Sequence, residues 1–548
     1  MNDAQIRRAA ENWRDQDPDD ETRQELDALL AAPDSADAAE ELRDRFATRL
    51  EFGTAGLRGA IGAGPNRMNR VLVTQAAAGL AAFLATRGDS PSVVIGYDGR
   101  KNSRVFAEDS AEIMAGAGVR TTLLPRPLPT PVLAFAVRDL DASAGVMVTA
   151  SHNPGTDNGY KVYLGDADHG SQIVPPTDGE IAGQIESVAA GDIRSLPRSN
   201  DYRVADEAIL ERYVARTAAV ARAVSQPRVV YTAMHGVGWE TARRVFAAAG
   251  FDEPRVVTAQ IEPDATFPTV AFPNPEEEGA LDLAFARATE VGADLIIAND
   301  PDADRLAVGV PTANGWRRMS GNEVGLLLGW RAAARVTSGT LACSIVSSPG
   351  LAAIAERHGL RHVETLTGFK WISRVDDLAF GFEEALGYLV NPETVRDKDG
   401  ISAAVDLLSL VSELAAEGKT LDDHIEELAA TIGAFGSAQI SLRFTDLPEI
   451  PRIMARLRAN PPVAVGGIDV ARIDDFADGV GEFPPGDILR IWMTDGSRIV
   501  VRPSGTEPKL KVYIDASSTR GDGKERARDV AERLATLESG MHELLDPA

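Results

Sequence analysis

The chain lacks the cysteines from which disulfides are built. Its 548 residues include one cysteine, Cys343, so no internal disulfide can form, and a reducing cytoplasm is the expected compartment. The N-terminal segment MNDAQIRRAAENW also lacks the cationic stretch and apolar core of a secretory signal. Because Cys343 stands inside the apolar run LACSIV, we expect a buried structural thiol rather than a reactive one.

Positive charge is also scarce. Lys and Arg number 56 against 82 Asp and Glu, which gives a net charge of −26. Nucleic acids are bound by clustered Lys and Arg, so this balance argues against a nucleic-acid partner. An anionic small molecule would need basic residues gathered locally against an acidic surface.

Long apolar runs are missing as well. The longest, Val71 to Ala85, is rich in alanine and interrupted by Thr74 and Gln75. It falls short of the ~18 to 20 strongly apolar residues that a membrane span needs. We therefore expect a buried helix there and no membrane partner. An apolar fraction of 44% with 25% charged residues is typical of a folded globular protein.

What the chain does contain is a repeated alternation. Short apolar runs are followed by polar loops and then by Ala/Leu-rich helical stretches, also after TASHNP and DPDADR, which predicts α/β units with largely parallel strands. Ligand sites in such units lie in the loops beyond the strand C-termini. The predicted strands are Val93 to Ile95, Gly145 to Val148, Arg228 to Tyr231, Asp294 to Ile297 and Ser344 to Val346, and a further polar loop, TLTGFKW, is predicted at 365 to 371.

The two ends of the chain differ from this pattern. Residues 1 to about 45 have helical periodicity, for example at Leu26, Leu29 and Leu30, and predict surface helices. Near the C-terminus, strands at 487–494 and 497–501 flank the turn Asp495-Gly496; a strand at 510–516 and a helix at 523–537 follow. This is an α+β pattern. The length predicts roughly three to five domains.

The sharpest local motif is DPDADR at 300 to 305. In an extended loop, Asp300, Asp302 and Asp304 would project to one side, where three carboxylates require a hard cation such as Mg²⁺ between them. An EF-hand is excluded, because its sixth and twelfth positions are here Arg305 and Pro311. A solvated acidic turn, or the nucleophile of a haloacid dehalogenase-like phosphohydrolase, remains an alternative.

Two further loops carry hydroxyl groups. RPSGTEPK at 502 to 509 combines an arginine, two hydroxyls and a glycine, as a phosphate monoester would require; a plain hairpin turn is the alternative. It is no nucleotide P-loop, since the chain has no G-x-x-x-x-G-K-[S/T]. TASHNP at 149 to 154 places Ser151 after an apolar strand, where it could be a nucleophile, a turn residue or a helix cap.

Together these motifs resemble the α-D-phosphohexomutases, the phosphoglucomutase and phosphomannomutase superfamily. The resemblance runs from about Phe52 to Tyr513 and adds FGTAGLRG at 52 to 59 and GFEEALGY at 381 to 388 to the three motifs above. It implies an α/β fold of four domains around a central cleft, three α/β domains with mixed, mainly parallel sheets and a C-terminal α+β domain. The expected boundaries are 1–45 for an N-terminal helical extension, then 46–205, 206–322, 323–438 and 439–548.

The resemblance also implies site residues and cofactors. Ser151 would carry the phosphoryl group, supported by His152, by Lys161 in proton transfer and by the charge of Arg58. Mg²⁺ would be held by Ser151 and the three aspartates, and glucose 1,6-bisphosphate would be activator and intermediate. The substrate-binding residues implied are Arg305, Lys370, Glu383, Glu384, Arg502, Ser504, Gly505 and Thr506. Asp98 and Arg100, in GYDGRKNS, are expected to give structural support.

These expectations add up to a phosphoglucomutase that interconverts α-D-glucose 1-phosphate and glucose 6-phosphate, acting as a monomer or weak homodimer. One departure concerns the sugar loop, where many hexomutases have Glu-x-Ser and this chain has Glu383, Glu384 and Ala385. GFEEALGY resembles a branch that also contains phosphopentomutases, so mannose or pentose phosphates are alternatives. A catalytically weak sugar-phosphate sensor and a phosphoserine-dependent hydrolase are the alternatives from other classes.

Overall fold

The computed structural model describes residues 1–32, 35–444, 448–504 and 509–545. The chain forms two compact units. The first unit comprises Met1–Met319 and Gly387–Ser409, and the second comprises Ser320–Leu386 and Leu410–Ala548. In the described part of the chain, no helix combines the length and apolar character required to cross a membrane.

Helices occur throughout both units. In chain order they are α1 (Asp3–Gln16), α2 (Asp20–Leu30), α3 (Ala36–Phe46), α4 (Arg70–Ala85), α5 (Ser103–Gly116), α6 (Thr130–Asp139), α7 (Thr177–Ala189), α8 (Ala208–Ala218), α9 (Gly238–Ala248), α10 (Asp282–Val291), α11 (Gly321–Arg335), α12 (Gly350–His358), α13 (Phe369–Ile372), α14 (Gly400–Ala416), α15 (Leu421–Ile432), α16 (Glu449–Ala459) and α17 (Gly523–Leu545).

The strands alternate with them. In chain order they are β1 (Leu57–Ala60), β2 (Ser92–Tyr97), β3 (Arg120–Leu123), β4 (Ala144–Val148), β5 (Asp157–Leu164), β6 (Ser171–Gln172), β7 (Arg203–Val204), β8 (Val229–Thr232), β9 (Arg255–Val256), β10 (Leu295–Asn299), β11 (Leu306–Thr312), β12 (Gly315–Arg318), β13 (Thr340–Ser344), β14 (Arg361–Thr365), β15 (Leu378–Glu383), β16 (Gly387–Leu389), β17 (Ala434–Arg443), β18 (Ala464–Val465), β19 (Ile468–Asp475), β20 (Leu489–Met493), β21 (Arg498–Pro503) and β22 (Lys509–Ser518).

Helices α1, α2 and α3 form a small cluster at the N-terminus. Each has a polar side chain capping its first turn, at Asn2, Asp19 and Ser35 respectively. Their apolar stripes meet in one core, in which Ile6, Leu26, Leu42 and Phe46 are buried together with Val71 of α4 and Ile193. The predicted helices are therefore present, and their apolar faces are buried in a core that they share with α4.

The first sheet of the first unit has the order β1-β5-β4-β2-β3-β7, with β6 beside β5. Strand β2 pairs in parallel with β3 and β4, whereas β4, β5 and β1 pair antiparallel. Helix α4, the apolar run 71–85 of the sequence, is almost entirely buried, as expected. The sheet therefore presents the C-terminal end of β4, and with it TASHNP, next to an antiparallel edge.

The second sheet repeats this arrangement in the order β12-β11-β10-β8-β9. Strands β8, β9 and β10 are parallel, and β10, β11 and β12 are antiparallel. The expected helix after DPDADR is therefore wrong, as it is after TASHNP: each polar loop turns directly into an antiparallel strand. The parallel pairs carry the predicted α/β pattern in the centre of each sheet.

In the second unit, β13 pairs in parallel with β14 and β15. The predicted strand at 344–346 is displaced, because β13 ends at Ser344 and the buried Ile345 and Val346 belong to the turn that follows. The predicted loop at 365–371 contains the short helix α13. Cys343 is fully buried on β13, as expected.

The C-terminal sheet is antiparallel, with the order β17-β22-β21-β20-β19-β18. The predicted hairpin is present, since β20 and β21 pair antiparallel across Asp495-Gly496. Helix α17 continues to Leu545, beyond the predicted end at 537. Strands β17 and β19 and helix α16 are additional to the predicted elements.

Candidate functional site

The serine corner is a tight turn between β4 and β5. Ser151 has a φ of 52°, in the left-handed region that non-glycine residues seldom adopt. Thr149 stabilises this conformation, because its Oγ1 accepts a hydrogen bond from the Ser151 N–H at 2.8 Å. The Ser151 hydroxyl is buried, donates to Asp300 Oδ2 at 2.9 Å and lies 3.2 Å from His152 Nδ1.

Arg100 stabilises this corner through hydrogen bonds to its backbone. Its buried guanidinium donates to four backbone carbonyls of the corner, those of Ser151, Asn153, Pro154 and Asp157, at 2.5 to 3.2 Å. Asp98 Oδ1 accepts from the Arg100 N–H and from Ser103, and the Asp98 carboxylate pairs with the Arg100 guanidinium. A guanidinium, with its five N–H donors, suits such a loop, because it can give each of these carbonyls a hydrogen bond.

The three aspartates converge as predicted, but through a different geometry. The chain from 300 to 304 is a turn, closed by a hydrogen bond from the Ala303 N–H to the Asp300 carbonyl, and Ala303 has a φ of 55°. The expectation of an extended loop is therefore wrong. One oxygen of each carboxylate lies within 4.8 Å of the others, and all three side chains are buried.

This cluster fits a divalent cation. Asp302 Oδ1 and Asp304 Oδ1 are buried and find no hydrogen-bond partner among the described residues. Buried carboxylate oxygens normally have a partner, and leaving one unsatisfied carries a large desolvation cost. Three carboxylates this close also cannot all stay ionised without added positive charge. Hard oxygen donors in this number suit Mg²⁺ with water completing its coordination.

Positive groups surround the aspartates. Lys161 Nζ, on β5, lies 3.0 Å from Asp302 Oδ2 and 2.8 Å from Asp304 Oδ2. Arg58 Nη1 donates to Asn153 Oδ1 in the serine corner at 3.2 Å. Arg305 Nε lies 3.8 Å from Asp304 Oδ1. The first unit thus gathers local cations around one serine, as an anionic ligand would require in so acidic a chain.

The pKa values of the three carboxyl groups are shifted in different directions. Burial, with the charges of Asp302 and Asp304, raises the pKa of Asp300 well above its ordinary value. Burial alone would raise the pKa values of Asp302 and Asp304 too, but Lys161 and other nearby donors bring both below the ordinary value. Burial, together with Arg305 and Arg58, lowers the pKa of His152, so its imidazole is neutral at pH 7.

Sequence reasoning missed two residues of this cluster. Thr130, the first residue of α6, donates from Oγ1 to Asp302 Oδ2 at 2.6 Å. Lys398 Nζ lies 3.2 Å from Asp304 Oδ2 and 3.2 Å from Asp397 Oδ1. The signal for Lys398 was the charged run Arg396 to Asp399 directly before the apolar helix α14. Thr130 had no comparable signal.

The second unit contains the other predicted residues. Glu383 ends β15 and Glu384 follows it; Glu384 Oε2 accepts from Ser344 and Ser347 at 3.2 and 3.3 Å. Lys370 lies in α13, with its Nζ 5.9 Å from the centre of the Trp371 ring. Arg502 lies on β21, and the Ser504 N–H donates to the Lys509 carbonyl at 2.8 Å. Gly505 and Thr506 fall outside the described residues.

Family models match four consecutive parts of the chain. They describe α/β/α domains I, II and III of phosphoglucomutase/phosphomannomutase at residues 49–191, 211–314 and 320–432, and the C-terminal domain of the same proteins at 446–536.

Individual relatives agree with this. A protein of Haemophilus influenzae named "Probable phosphomannomutase" is 55% identical, covering 87% of this chain and 98% of its own. A human phosphopentomutase is 33% identical, covering 98% and 96%. A phosphoglucomutase of Staphylococcus aureus is 34% identical, covering 91% and 94%.

A solved structure shares the fold. A phosphoglucomutase/phosphomannomutase family protein of Burkholderia thailandensis superimposes with a TM-score of 0.69 at 21% identity, covering 90% of this chain and 98% of its own. Four matching domains in family order and relatives aligned over nearly their full length lead to one conclusion: the chain belongs to the phosphoglucomutase/phosphomannomutase family and is a phosphomutase, an enzyme of the isomerase class.

Proposed function

We propose that the chain is a phosphosugar mutase that works through a phosphoserine at Ser151 and interconverts α-D-glucose 1-phosphate and glucose 6-phosphate. The observation that carries the proposal is the placement of the Ser151 hydroxyl. It is held in a strained, buried turn 2.9 Å from the aspartate cluster, with Lys161, Arg58 and Arg305 contacting the same cluster and corner. These cations supply the charge that a phosphoryl group requires.

The reaction consists of two transfers. In the first, the P–Oγ bond of phosphorylated Ser151 breaks and a P–O bond forms to the free 6-hydroxyl of glucose 1-phosphate, whose proton replaces the phosphoryl group on Ser151 Oγ. The product is bound glucose 1,6-bisphosphate. In the second, the bond between the 1-phosphate and the sugar oxygen breaks, the phosphoryl group returns to Ser151 Oγ, and the proton displaced from Ser151 Oγ goes to the sugar oxygen. Glucose 6-phosphate is released and the enzyme is phosphorylated again.

The residues of the first unit have separate tasks in these transfers. Arg100 and Thr149 bind the backbone of Ser151 and thereby fix the position of its Oγ, which supports in-line transfer. Arg58 and Arg305 offset charge on the phosphoryl oxygens. Lys161 is the proposed proton-transfer group, and its ammonium is fixed between Asp302 and Asp304. The neutral His152 imidazole contacts the Ser151 oxygen without adding charge.

We further propose that Mg²⁺ is held by Ser151, Asp300, Asp302 and Asp304. When bound it would neutralise charge on the transferring phosphoryl group. Asp302 Oδ1 and Asp304 Oδ1, which receive no hydrogen bond from the described residues, support this assignment.

In the second unit, Glu383 and Glu384 would accept hydrogen bonds from neighbouring sugar hydroxyls, with Lys370 as an additional contact. Arg502, Ser504 and the residues Gly505 and Thr506 would bind the phosphate that is not being transferred. A bidentate guanidinium and hydroxyl donors suit a phosphate monoester.

The preferred sugar is identified by comparing kcat/KM for several sugar phosphates. The 34% identical phosphoglucomutase supports glucose, whereas the 55% identical relative favours mannose phosphates as the second candidate. Coupled assays with Mg²⁺ and catalytic glucose 1,6-bisphosphate should give the highest kcat/KM with α-D-glucose 1-phosphate. A higher kcat/KM with mannose 1-phosphate or ribose 1-phosphate would assign that sugar instead. Release of inorganic phosphate in place of isomerisation would identify a hydrolase.

A further inference from the structure

Among the described residues of the second unit, Arg498 is the most deeply buried arginine. Its side chain is 2% exposed at the start of β21. Its Nε and Nη2 donate to Asp515 Oδ2 at 3.1 and 2.8 Å, and its Nη1 donates to Glu364 Oε1 at 2.9 Å. Its Nη2 also donates to the Ser347 carbonyl at 2.6 Å. One side chain thus links β21 and β22 to the turn after β13.

Arg498 shares a strand with the proposed phosphate loop. Side chains alternate along a strand, so Arg498, Val500 and Arg502 share one face of β21. Val500, on this face, belongs to one buried apolar cluster with Ile345 and Val346, from the turn after β13, and Arg498 donates to the Ser347 carbonyl of the same turn. The face that carries Arg502 is therefore in contact with the turn that contains Ser347.

Ser347 connects that turn to the proposed sugar loop. Its carbonyl accepts from Arg498, while its hydroxyl donates to Glu384 Oε2 at 3.3 Å and accepts from the Glu384 N–H at 3.1 Å. Ser344 donates to the same Glu384 oxygen at 3.2 Å. Both serines are fully buried. A continuous set of hydrogen bonds therefore runs from Glu384 through Ser347 to Arg498.

We propose that Arg498 is a positioning residue that acts through Ser347 to hold Glu384 in a fixed place relative to the strand carrying Arg502. Recognition of the sugar hydroxyls and of the non-transferring phosphate then depends on one rigid arrangement. This inference rests on the proposed roles of Glu384 and Arg502. Lysine cannot replace the guanidinium, because a single ammonium cannot reach Asp515, Glu364 and Ser347 at once in fork geometry.

The chain offers a matched control in Arg490. It is also buried, donates to Glu364 Oε2 at 3.2 Å and to Asp474 Oδ2 at 3.1 Å, and lies over the Trp492 ring. Arg490→Lys therefore perturbs the same ionic network at Glu364 and leaves the link between Arg498 and Ser347 in place.

The experiment compares Arg498→Lys, Arg490→Lys and wild type in the mutase assay. Arg498→Lys should raise KM for the sugar phosphate about tenfold with kcat changed less than about twofold, because binding geometry is lost while the transfer residues are untouched. Inhibition by inorganic phosphate, which has no sugar hydroxyls for Glu384 to bind, should stay within about twofold of wild type. Arg490→Lys should keep the wild-type KM.

A double-mutant cycle with Glu384→Gln identifies the route. If Arg498 acts through Glu384, Arg498→Lys should have little further effect on kcat/KM in the Glu384→Gln enzyme. Additive effects, equal KM changes in Arg498→Lys and Arg490→Lys, or a parallel loss of phosphate inhibition would each overturn the inference and leave the proposed function intact. An unchanged kcat/KM in Glu384→Gln alone would instead overturn the proposed sugar role, and the inference with it.

Discussion

Asp302 is one of the three aspartates proposed as cation ligands. It accepts from Thr130 and Lys161 through Oδ2, while its Oδ1 is left for a cation. Asp302→Asn should lower kcat by about 100-fold, the effect of removing one transition-state charge partner, with KM changed far less. Steady-state kinetics at saturating Mg²⁺ check this, with the exposed Asp252→Asn as control. A kcat within about threefold of wild type would contradict the cation assignment.

A second prediction at the residue scale concerns Arg100. Arg100→Lys removes most of the four hydrogen bonds that hold the serine corner, so Ser151 should lose its fixed position. We expect kcat/KM to fall by about 10- to 100-fold, as misplacement of a reacting group does. The exposed Arg104, which pairs with Glu108, supplies the control Arg104→Lys. Equal kinetics for the two variants would show that the corner does not need Arg100.

A site residue could be predicted from the sequence when it stands in a short motif of residues with related chemistry. Ser151 and the three aspartates stand in short motifs whose residue types already imply their chemistry. Thr130 and Lys398 contact the aspartates from positions far along the chain, the first by 172 residues. No local pattern encodes such a pairing, because it arises only when the fold brings the start of α6 and the 396–399 run next to the 300–304 turn.

At the scale of elements, the centres of the sheets were predictable and their edges were not. Strands β2, β4, β8 and β10 are continuous apolar runs, as expected for strands buried on both faces. The strands after the two polar loops, β5 and β11, were expected as helices. They pair antiparallel with β4 and β10, and this pairing closes each loop into the tight turn that the site needs.

The stability that the N-terminal cap of helix α14 contributes should depend on pH. Asp399 caps it, accepting from the Ile401 and Ser402 N–H groups, and also accepts from the Tyr213 hydroxyl. Burial raises the pKa of Asp399 to about 6. Because the native pKa lies above the unfolded value of about 4, its contribution to stability is complete below about pH 4 and is lost as the pH rises through about 6.

Asp399→Asn stays neutral and can still cap the helix. The Tm of the variant, relative to wild type, should therefore increase between about pH 4.5 and 7.5, in thermal melts followed by circular dichroism. Parallel Tm profiles for the two proteins would show that Asp399 does not titrate as the structure implies.

At the scale of the whole molecule, an acidic chain must accommodate an anionic substrate. The net charge is −26, yet the described part of the first unit brings Arg58, Lys161, Arg305 and Lys398 close to one aspartate cluster and serine corner. Composition alone predicted that local cations would be required. It could not predict which ones, because they come from four separate segments of the chain.

The central claim is that Ser151 carries the phosphoryl group between turnovers. Intact-mass and peptide mass spectrometry after incubation with glucose 1,6-bisphosphate and Mg²⁺ tests it most directly. The account predicts one added phosphoryl group on Ser151 in the wild-type enzyme, its transfer to glucose 1-phosphate on addition of that sugar, and neither phosphorylation nor mutase activity in Ser151→Ala. A phosphoryl group on another residue, or full mutase activity in Ser151→Ala, would contradict the account.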